Sequence, residues 1–163
     1  MVWSLALILH IVLVAPEIPA NTGNIARTCA ATNTPLHLVD PLGFRLSDRY
    51  LKRAGLDYWQ HVQLHRYPSW AALVETHPEA RFWCFSVRGK ALYTEVAYQP
   101  GDWLVFGSES RGLDPMFLEN YPSVRIPLSG PVRSLNLSNA VAIALFEGLR
   151  QQGSLSSLPI HPK

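Results

Sequence analysis

Three short stretches of this sequence carry polar groups of the kind that bind or position a small molecule. Asn21-Thr22-Gly23-Asn24-Ile25-Ala26-Arg27 brings amides, a glycine and an arginine to the start of a helical pattern. Free N–H groups in a first helical turn attract anions, and Arg27 lies one turn further on. The same residues also suit a capped helix with a solvent-facing arginine. Phe106-Gly107-Ser108-Glu109-Ser110-Arg111-Gly112-Leu113 ends an apolar run at a glycine, then supplies Glu109, Arg111 and Gly112. Two glycines at this spacing let a flat ligand lie against the backbone; an ordinary turn with a surface Glu–Arg pair fits equally. The stretch has neither the GxGxxG spacing of a dinucleotide loop nor the GK[ST] of a P-loop.

The third stretch runs from Ile126-Pro127-Leu128 to Ser134-Leu135-Asn136-Leu137-Ser138-Asn139-Ala140. Pro127 and Pro131 deny it helix and regular sheet, so it is a shaped loop whose backbone polar groups need partners. A ligand edge with donors and acceptors would supply them. Extended geometry puts Ser134, Asn136 and Ser138 on one side and Leu135 and Leu137 on the other. Asn136 or Ser138 then caps the last helix. Capping alone explains one of these polar residues, not all of them.

These stretches need a frame. Apolar strand-length runs at 8–15, 36–40, 61–67, 81–87, 102–107 and 123–128 alternate with helical patterns at 23–33, 47–55, 68–77 and 139–152. Asn21 or Thr22 is the expected N-cap of the first helix, Gly55 ends the second, and Pro68 sits in the first turn of the third. Strands apolar on both faces and separated by helices predict an α/β fold, a parallel sheet with helices on both faces. Ligands of such sheets bind beyond the carboxyl ends of strands, here after Ala15, Phe85, Phe106 and Ile126. In the last helix Ala140, Ala144 and Gly148 form a small-residue stripe beside Val141, Leu145 and Leu149. Such a helix is buried either in its own core and against a second subunit, or over one broad core-facing surface.

Composition narrows the class. The 163 residues suit one domain (1–163, with 1–7 as an extension and 152–163 as a flexible tail), and 48% apolar content suffices for a core. Charged residues are only 16%, which predicts surface buried against a second copy of the chain. A net charge of +2 excludes a polybasic tail but allows a local basic patch. Arg45, Arg49, Lys52 and Arg53 form that patch on the short 47–55 helix and its approach, as an RNA-binding face or as a solvated surface. Cys29 and Cys84 lack metal-ligand spacing and read as reduced core thiols in a cytoplasmic protein, with no metal. The run at 3–15 has no preceding Lys or Arg, is broken by His10, has Leu13 and Pro16 where a cleavage site wants otherwise, and is too short to span a bilayer. It is expected to be a buried strand, and no membrane association is expected.

Taken together, and in this order, the three stretches resemble the motifs of the SPOUT class of RNA methyltransferases, in its SpoU-like branch. APEIPANTGNIART and DPLGFRLSDRYLKRAGLDYW, with no added RNA-binding domain, resemble its compact YibK/TrmL group over residues 8–151. The resemblance implies an enzyme that methylates the ribose 2′-hydroxyl of the wobble nucleotide, position 34, in leucine tRNAs. It implies a C-terminal deep trefoil knot, S-adenosylmethionine as cofactor and a homodimer. Phe85, Gly107, Glu109, Ile126, Leu128, Ser134 and Leu135 would hold the cofactor. Arg27, Asn21, Ser134 and Asn136 would form the catalytic set, with Arg27 reaching toward the partner's cofactor site. Residues 1–7 extend beyond the group's usual start, and Phe146 stands where some members have tyrosine.

Arg27 is the group's usual candidate for the base. Neutralising a guanidinium at pH 7 costs roughly 8 kcal/mol. Clamping a phosphate and stabilising the developing oxyanion is the simpler role. Asn21, Ser134 and Asn136 then orient, and Glu109 is a structural or cofactor-side partner. Other readings are a methyltransferase of another RNA such as rRNA, a non-catalytic RNA-binding protein with the same fold, and a flavodoxin-like nucleotide binder.

Overall fold

Every strand of the central sheet runs parallel to its neighbours, in the order β3-β2-β1-β6-β4-β7-β5. The computed structural model describes residues 8–156 other than 48, 50, 52, 54 and 55. The strands are β1 (His10–Val14), β2 (Leu36–Val39), β3 (Leu64–Tyr67), β4 (Phe82–Phe85), β5 (Ala91–Leu92), β6 (Trp103–Phe106) and β7 (Ser123–Arg125). The α-helices are α1 (Pro19–Ala31), α2 (Trp70–Thr76), α3 (Pro115–Asn120) and α4 (Leu137–Gln151), with a 3-10 turn at Leu56–His61.

Side-chain alternation along the strands builds two cores. Ile11, Leu13, Leu36, Leu38, Leu104 and Phe106 face one side and pack against Ile25, Ala26 and Cys29 of α1 and Val141, Ala144 and Leu145 of α4. Val12, Val39, Cys84 and Val105 face the other, against Leu73 of α2 and Phe117 of α3. Burial on both faces explains why β1, β2 and β6 read as unbroken apolar runs. Both cysteines are free and buried, and burial pushes each thiol up to about 12.

On helix α4 both stripes pack into the chain's own core, as either reading requires. Val141, Ala144, Leu145, Gly148 and Leu149 are all buried in the chain's own core. A Cβ on Gly148 would lie 2.6 Å from the Leu9 side chain, so the small stripe admits that leucine. Ile143 and Phe146 face outward, 37% and 45% exposed.

Several boundaries differ from the sequence reading. Helix α1 begins four residues before the expected start, with Ile18 as N-cap, so Asn21, Thr22 and Gly23 lie inside the helix. Ser69, not a first-turn Pro68, caps α2, its hydroxyl accepting from the N–H of Ala72 at 3.1 Å. Helix α3 begins at Pro115 after its N-cap Asp114, a start signal in a stretch to which the sequence reading gave no element. Strand β5 is too short to show any period and exists through its pairing with β7. In the expected 47–55 helix, Arg49, Leu51 and Arg53 are helical, while Lys52 and Gly55 lie outside the described residues.

At the amino ends of the strands a polar layer closes the α2 face. His10 Nδ1 and His37 Nε2 are 3.0 Å apart, and Tyr67 Oη lies 2.9 Å from His77 Nε2. His10 stacks on Trp103 with ring centroids 4.2 Å apart, and His65 stacks on His37 at 4.8 Å. Burial, reinforced by the neighbouring histidines, lowers His10 to about 4 and His37 to about 2. The folded chain therefore holds both neutral where an unfolded histidine protonates near 6.5. The stability this provides is complete above that value and declines as pH falls from it toward the folded-state values. Going from about pH 7 to about pH 5 should lower the urea midpoint, the unfolding free energy falling by about 1 kcal/mol per pH unit for one such histidine. His37→Leu should flatten that dependence; equal midpoints at both pH values would contradict the assignment.

Candidate functional site

The strand order brings the three motif stretches to one edge. β1, β6, β4 and β7 are consecutive in the sheet, with Leu13 beside Phe106, Phe106 beside Phe85, and Phe85 beside Val124. Their carboxyl ends therefore release their loops side by side. Ala15, at φ 51°, turns the chain sharply out of β1 toward α1.

Glu109, in the loop after β6, binds the start of α1. Its carboxylate accepts the backbone N–H of Glu17 at 2.7 Å and of Ile18 at 3.0 Å, and the Asn21 side-chain amide at 3.2 Å. Glu17 returns the contact, accepting from the hydroxyl and backbone N–H of Ser110 at 2.7 and 3.2 Å. The cap of α1 thus comes from another part of the chain, since Ile18 has no side chain to cap with and Pro19 removes one donor. A carboxylate at this end also complements the helix dipole.

The chain of bonds continues into the third stretch. Asn21 Oδ1 accepts from Asn136 Nδ2 at 3.1 Å, and Asn136 Oδ1 accepts from the Ser138 hydroxyl and backbone N–H at 2.6 and 2.9 Å. Asn136 is the N-cap of α4, as one of the two sequence alternatives held. Glu109, Asn21 and Asn136 therefore link one residue from each stretch. Thr22 is fully buried, and its hydroxyl has no partner among the described residues.

The linked loops enclose an open cleft of about 550 Å³. Phe85, Gly107, Glu109, Ile126, Leu128, Ser134 and Leu135 all line it, as do Asn21 and Asn136. Phe85 and Phe106 stack at its base, ring centroids 4.8 Å apart. The volume is that of a small-molecule site. Its aromatic and aliphatic floor suits a flat heterocycle, and Ser86, Ser108 and Ser134 in the wall can hydrogen-bond a sugar.

The glycines act differently from the sequence reading. A Cβ on Gly107 would lie 2.0 Å from the Gly112 carbonyl carbon, so its open side receives the loop's own backbone rather than a ligand. Gly112 sits at φ +67°, where other residues are strained. Nor is Glu109 half of a surface Glu–Arg pair, since its partners are N–H groups.

Arg27 does not line this cleft. It is exposed, with its guanidinium 4.9 Å from the Tyr58 ring centroid. Arg45, Arg49 and Arg53 are exposed, away from the cleft lining, and Lys52 lies outside the described residues. Sequence reasoning passed over Glu17, Ser110, Ser86, Arg88 and Arg133. Glu17 was legible as an acidic residue just before a helix-starting proline; the others had no signal beyond standing next to a strand end or motif.

Comparison with known proteins agrees with this geometry. Residues 8–146 match the model of the SpoU rRNA Methylase family. The tRNA (cytidine(34)-2′-O)-methyltransferase of Burkholderia cenocepacia is 50% identical over 149 residues, 88% of this chain and 96% of that protein. A solved structure described as giving structural insights into the 2-OH methylation of C/U34 on tRNA superposes with a TM-score of 0.88. It is 53% identical, over 90% of this chain and 97% of that one. The fold is shared with AviRb of Streptomyces viridochromogenes, solved in complex with AdoMet. There the TM-score is 0.82 at 23% identity, over 91% of this chain and 59% of that one.

If the Glu109 carboxylate holds the loops together, Glu109→Ala should destabilise the chain by about 2 kcal/mol, from the loss of charge-assisted bonds to donors left unpaired. The thermal midpoint should fall by about 6 °C for a chain of this size. A change below about 0.5 kcal/mol would contradict the role.

Proposed function

The chain belongs to the SpoU rRNA methylase family, and from that membership we propose that it methylates the ribose 2′-oxygen of nucleotide 34 in tRNA. The observation that carries the reading is the single cleft in which Glu109, Asn21 and Asn136 join all three stretches. The relatives that cover almost the whole chain at about half identity support nucleotide 34 of tRNA. Leucine tRNAs are the proposed substrates and the cytoplasm the proposed location. No helix among the described residues is long and apolar enough to cross a membrane.

S-adenosylmethionine fits the cleft in size and chemistry, and when bound it supplies an electrophilic sulfonium methyl. Phe85, Ile126, Leu128 and Leu135 would hold its adenine against the apolar floor. Ser134 and the backbone beside Gly107 would take the ribose. Glu109 bonds the start of α1 with both oxygens and so fixes the wall of the cleft that it also lines. Asn21 and Asn136 hold each other's amides and set the position of the loop before α4. The protein's contribution is position and electrostatics.

Arg27 stands outside the cleft of its own chain, which fits an arginine that serves the cleft of a second copy. The outward faces of Ile143 and Phe146 on α4, 37% and 45% exposed, supply an apolar surface for that copy, beside α1. In the homodimer Arg27 clamps the phosphate next to nucleotide 34 and stabilises the alkoxide forming at the 2′-oxygen, and the proton passes to water or a phosphate oxygen. Arg45, Arg49, Lys52 and Arg53 would hold more distant phosphates. A single domain spanning 1–163, with its C-terminal third threaded as a trefoil knot, completes the proposal.

The reading is tested by methyl transfer from labelled S-adenosylmethionine to total tRNA, followed by mapping of the modified ribose. Label at nucleotide 34 is expected; no label in tRNA, with label appearing when rRNA is offered in a parallel reaction, or no label in either, would overturn it. Arg27→Ala should lower kcat by at least about 100-fold, the loss expected on removing a donor to a developing oxyanion. Cofactor affinity should stay within about twofold, because the residue is outside the cofactor's wall; unchanged kcat would remove Arg27 from the site.

A further inference from the structure

Three arginines reach the same cleft from three different loops. Arg88 follows β4, Arg111 follows β6, and Arg133 lies in the loop after β7; all three line the cleft and are exposed. No guanidinium of the three has a hydrogen bond or ion pair to a described residue. Four other arginines are engaged: Arg66 with Asp40, Arg81 with Asp102, Arg150 with Glu147, and Arg125 with the carbonyls of Gly89 and Lys90. The carboxylates nearest the cleft make no ion pair with the three: Glu109 accepts from N–H groups at the start of α1, and Glu17 from Ser110, so both keep their charge.

We propose that Arg88, Arg111 and Arg133 form a phosphate-binding rim over the cleft, which grips the RNA backbone around the nucleotide being modified. The assignment rests on the cofactor and RNA reading given above. S-adenosylmethionine carries a sulfonium and an ammonium against one carboxylate, so its net charge is positive. Three guanidiniums and a cationic cofactor outweigh the two carboxylates, Glu109 and Glu17, and leave net positive charge that a polyanion offsets; the methyl acceptor is that polyanion. Arginine, with its forked donors, binds phosphate oxygens in pairs.

The neighbouring residues fit a nucleotide better than a carboxylate alone. Arg88 and Arg133 each follow an exposed valine, Val87 at 54% and Val132 at 60%. Ile18, 45% exposed, also borders the cleft. Apolar side chains beside guanidiniums offer a surface for a base or sugar face next to donors for its phosphate. The cleft is thus divided, with an apolar floor for the cofactor and a basic rim for the backbone of the acceptor.

The test compares the full-length wild type with Arg88→Ala, Arg111→Ala, Arg133→Ala and the triple variant. Affinity for a tRNA anticodon stem-loop is measured against salt concentration without cofactor, and S-adenosylmethionine affinity is measured separately by calorimetry. Each single change should weaken RNA binding about 3- to 10-fold and reduce the log–log salt slope by about 1, and the triple change should reduce it by nearly 3. Arg111→Lys should keep the slope, since the charge remains. Cofactor affinity should change less than about twofold. An unchanged slope in the singles and the triple would overturn the proposal. So would a loss of cofactor affinity with the RNA slope intact, which would make these arginines holders of the cofactor's carboxylate. Because the RNA measurement is made without cofactor, it decides this proposal whatever the methyl-transfer assay shows. All three side chains are exposed, so thermal midpoints should stay close to wild type, and the single variants decide if the triple does not fold.

Discussion

A carboxylate that accepts backbone N–H groups from the start of a helix is among the stronger polar contacts a protein surface offers, because donor, acceptor and helix dipole all act in the same sense. Glu109 makes that contact across 92 residues of chain to Glu17. The Asn21 amide, held by the same carboxylate, passes the connection to Asn136 and so to the cap of α4. The three loops that leave β1, β6 and β7 would each have independent freedom without these bonds. With them, the walls of the cleft form one hydrogen-bonded unit. The geometry therefore depends on a single side chain that never has to touch the substrate.

The sheet prepares the ground for this connection. Parallel pairing of β1, β6, β4 and β7 fixes the four loop origins side by side at the carboxyl edge. The opposite edge carries the histidine and tryptophan layer, held neutral by burial. The two ends thus differ, one closed by neutral histidines and the Arg81–Asp102 ion pair, the other open with arginines at its rim. The glycine pair of the β6 loop belongs to the same economy of space. Gly107 lets the loop fold back on itself, and this leaves Glu109 directed at α1.

Much of the fold was legible because its cause is local. Unbroken apolar runs such as Ile11–Val14 and Leu104–Phe106 show burial on both faces, and the alternation with helices gives a parallel sheet. The residues of the cleft were legible through the order of three stretches, and Asn136 through ordinary capping logic. What failed was non-local. The start of α1 was misjudged because its cap is supplied by Glu109 from a distant loop, so a local search settled on Asn21 or Thr22. Strand β5 has no signal of its own, since two residues become a strand only when β7 lies beside them. Arg88 and Arg133 were overlooked because nothing in their neighbours reveals that the strand order brings them to one cleft.

The central claim is that the loops are locked by Glu109 before any ligand arrives, and that the cofactor enters the space so formed. A crystal structure of the chain with S-adenosylmethionine tests it most directly. The account predicts adenine against Phe85, Ile126, Leu128 and Leu135, with both Glu109 oxygens still bonded to the N–H groups of Glu17 and Ile18. A cofactor bound away from that floor, or a Glu109 released from α1 and turned onto the ligand, would contradict it.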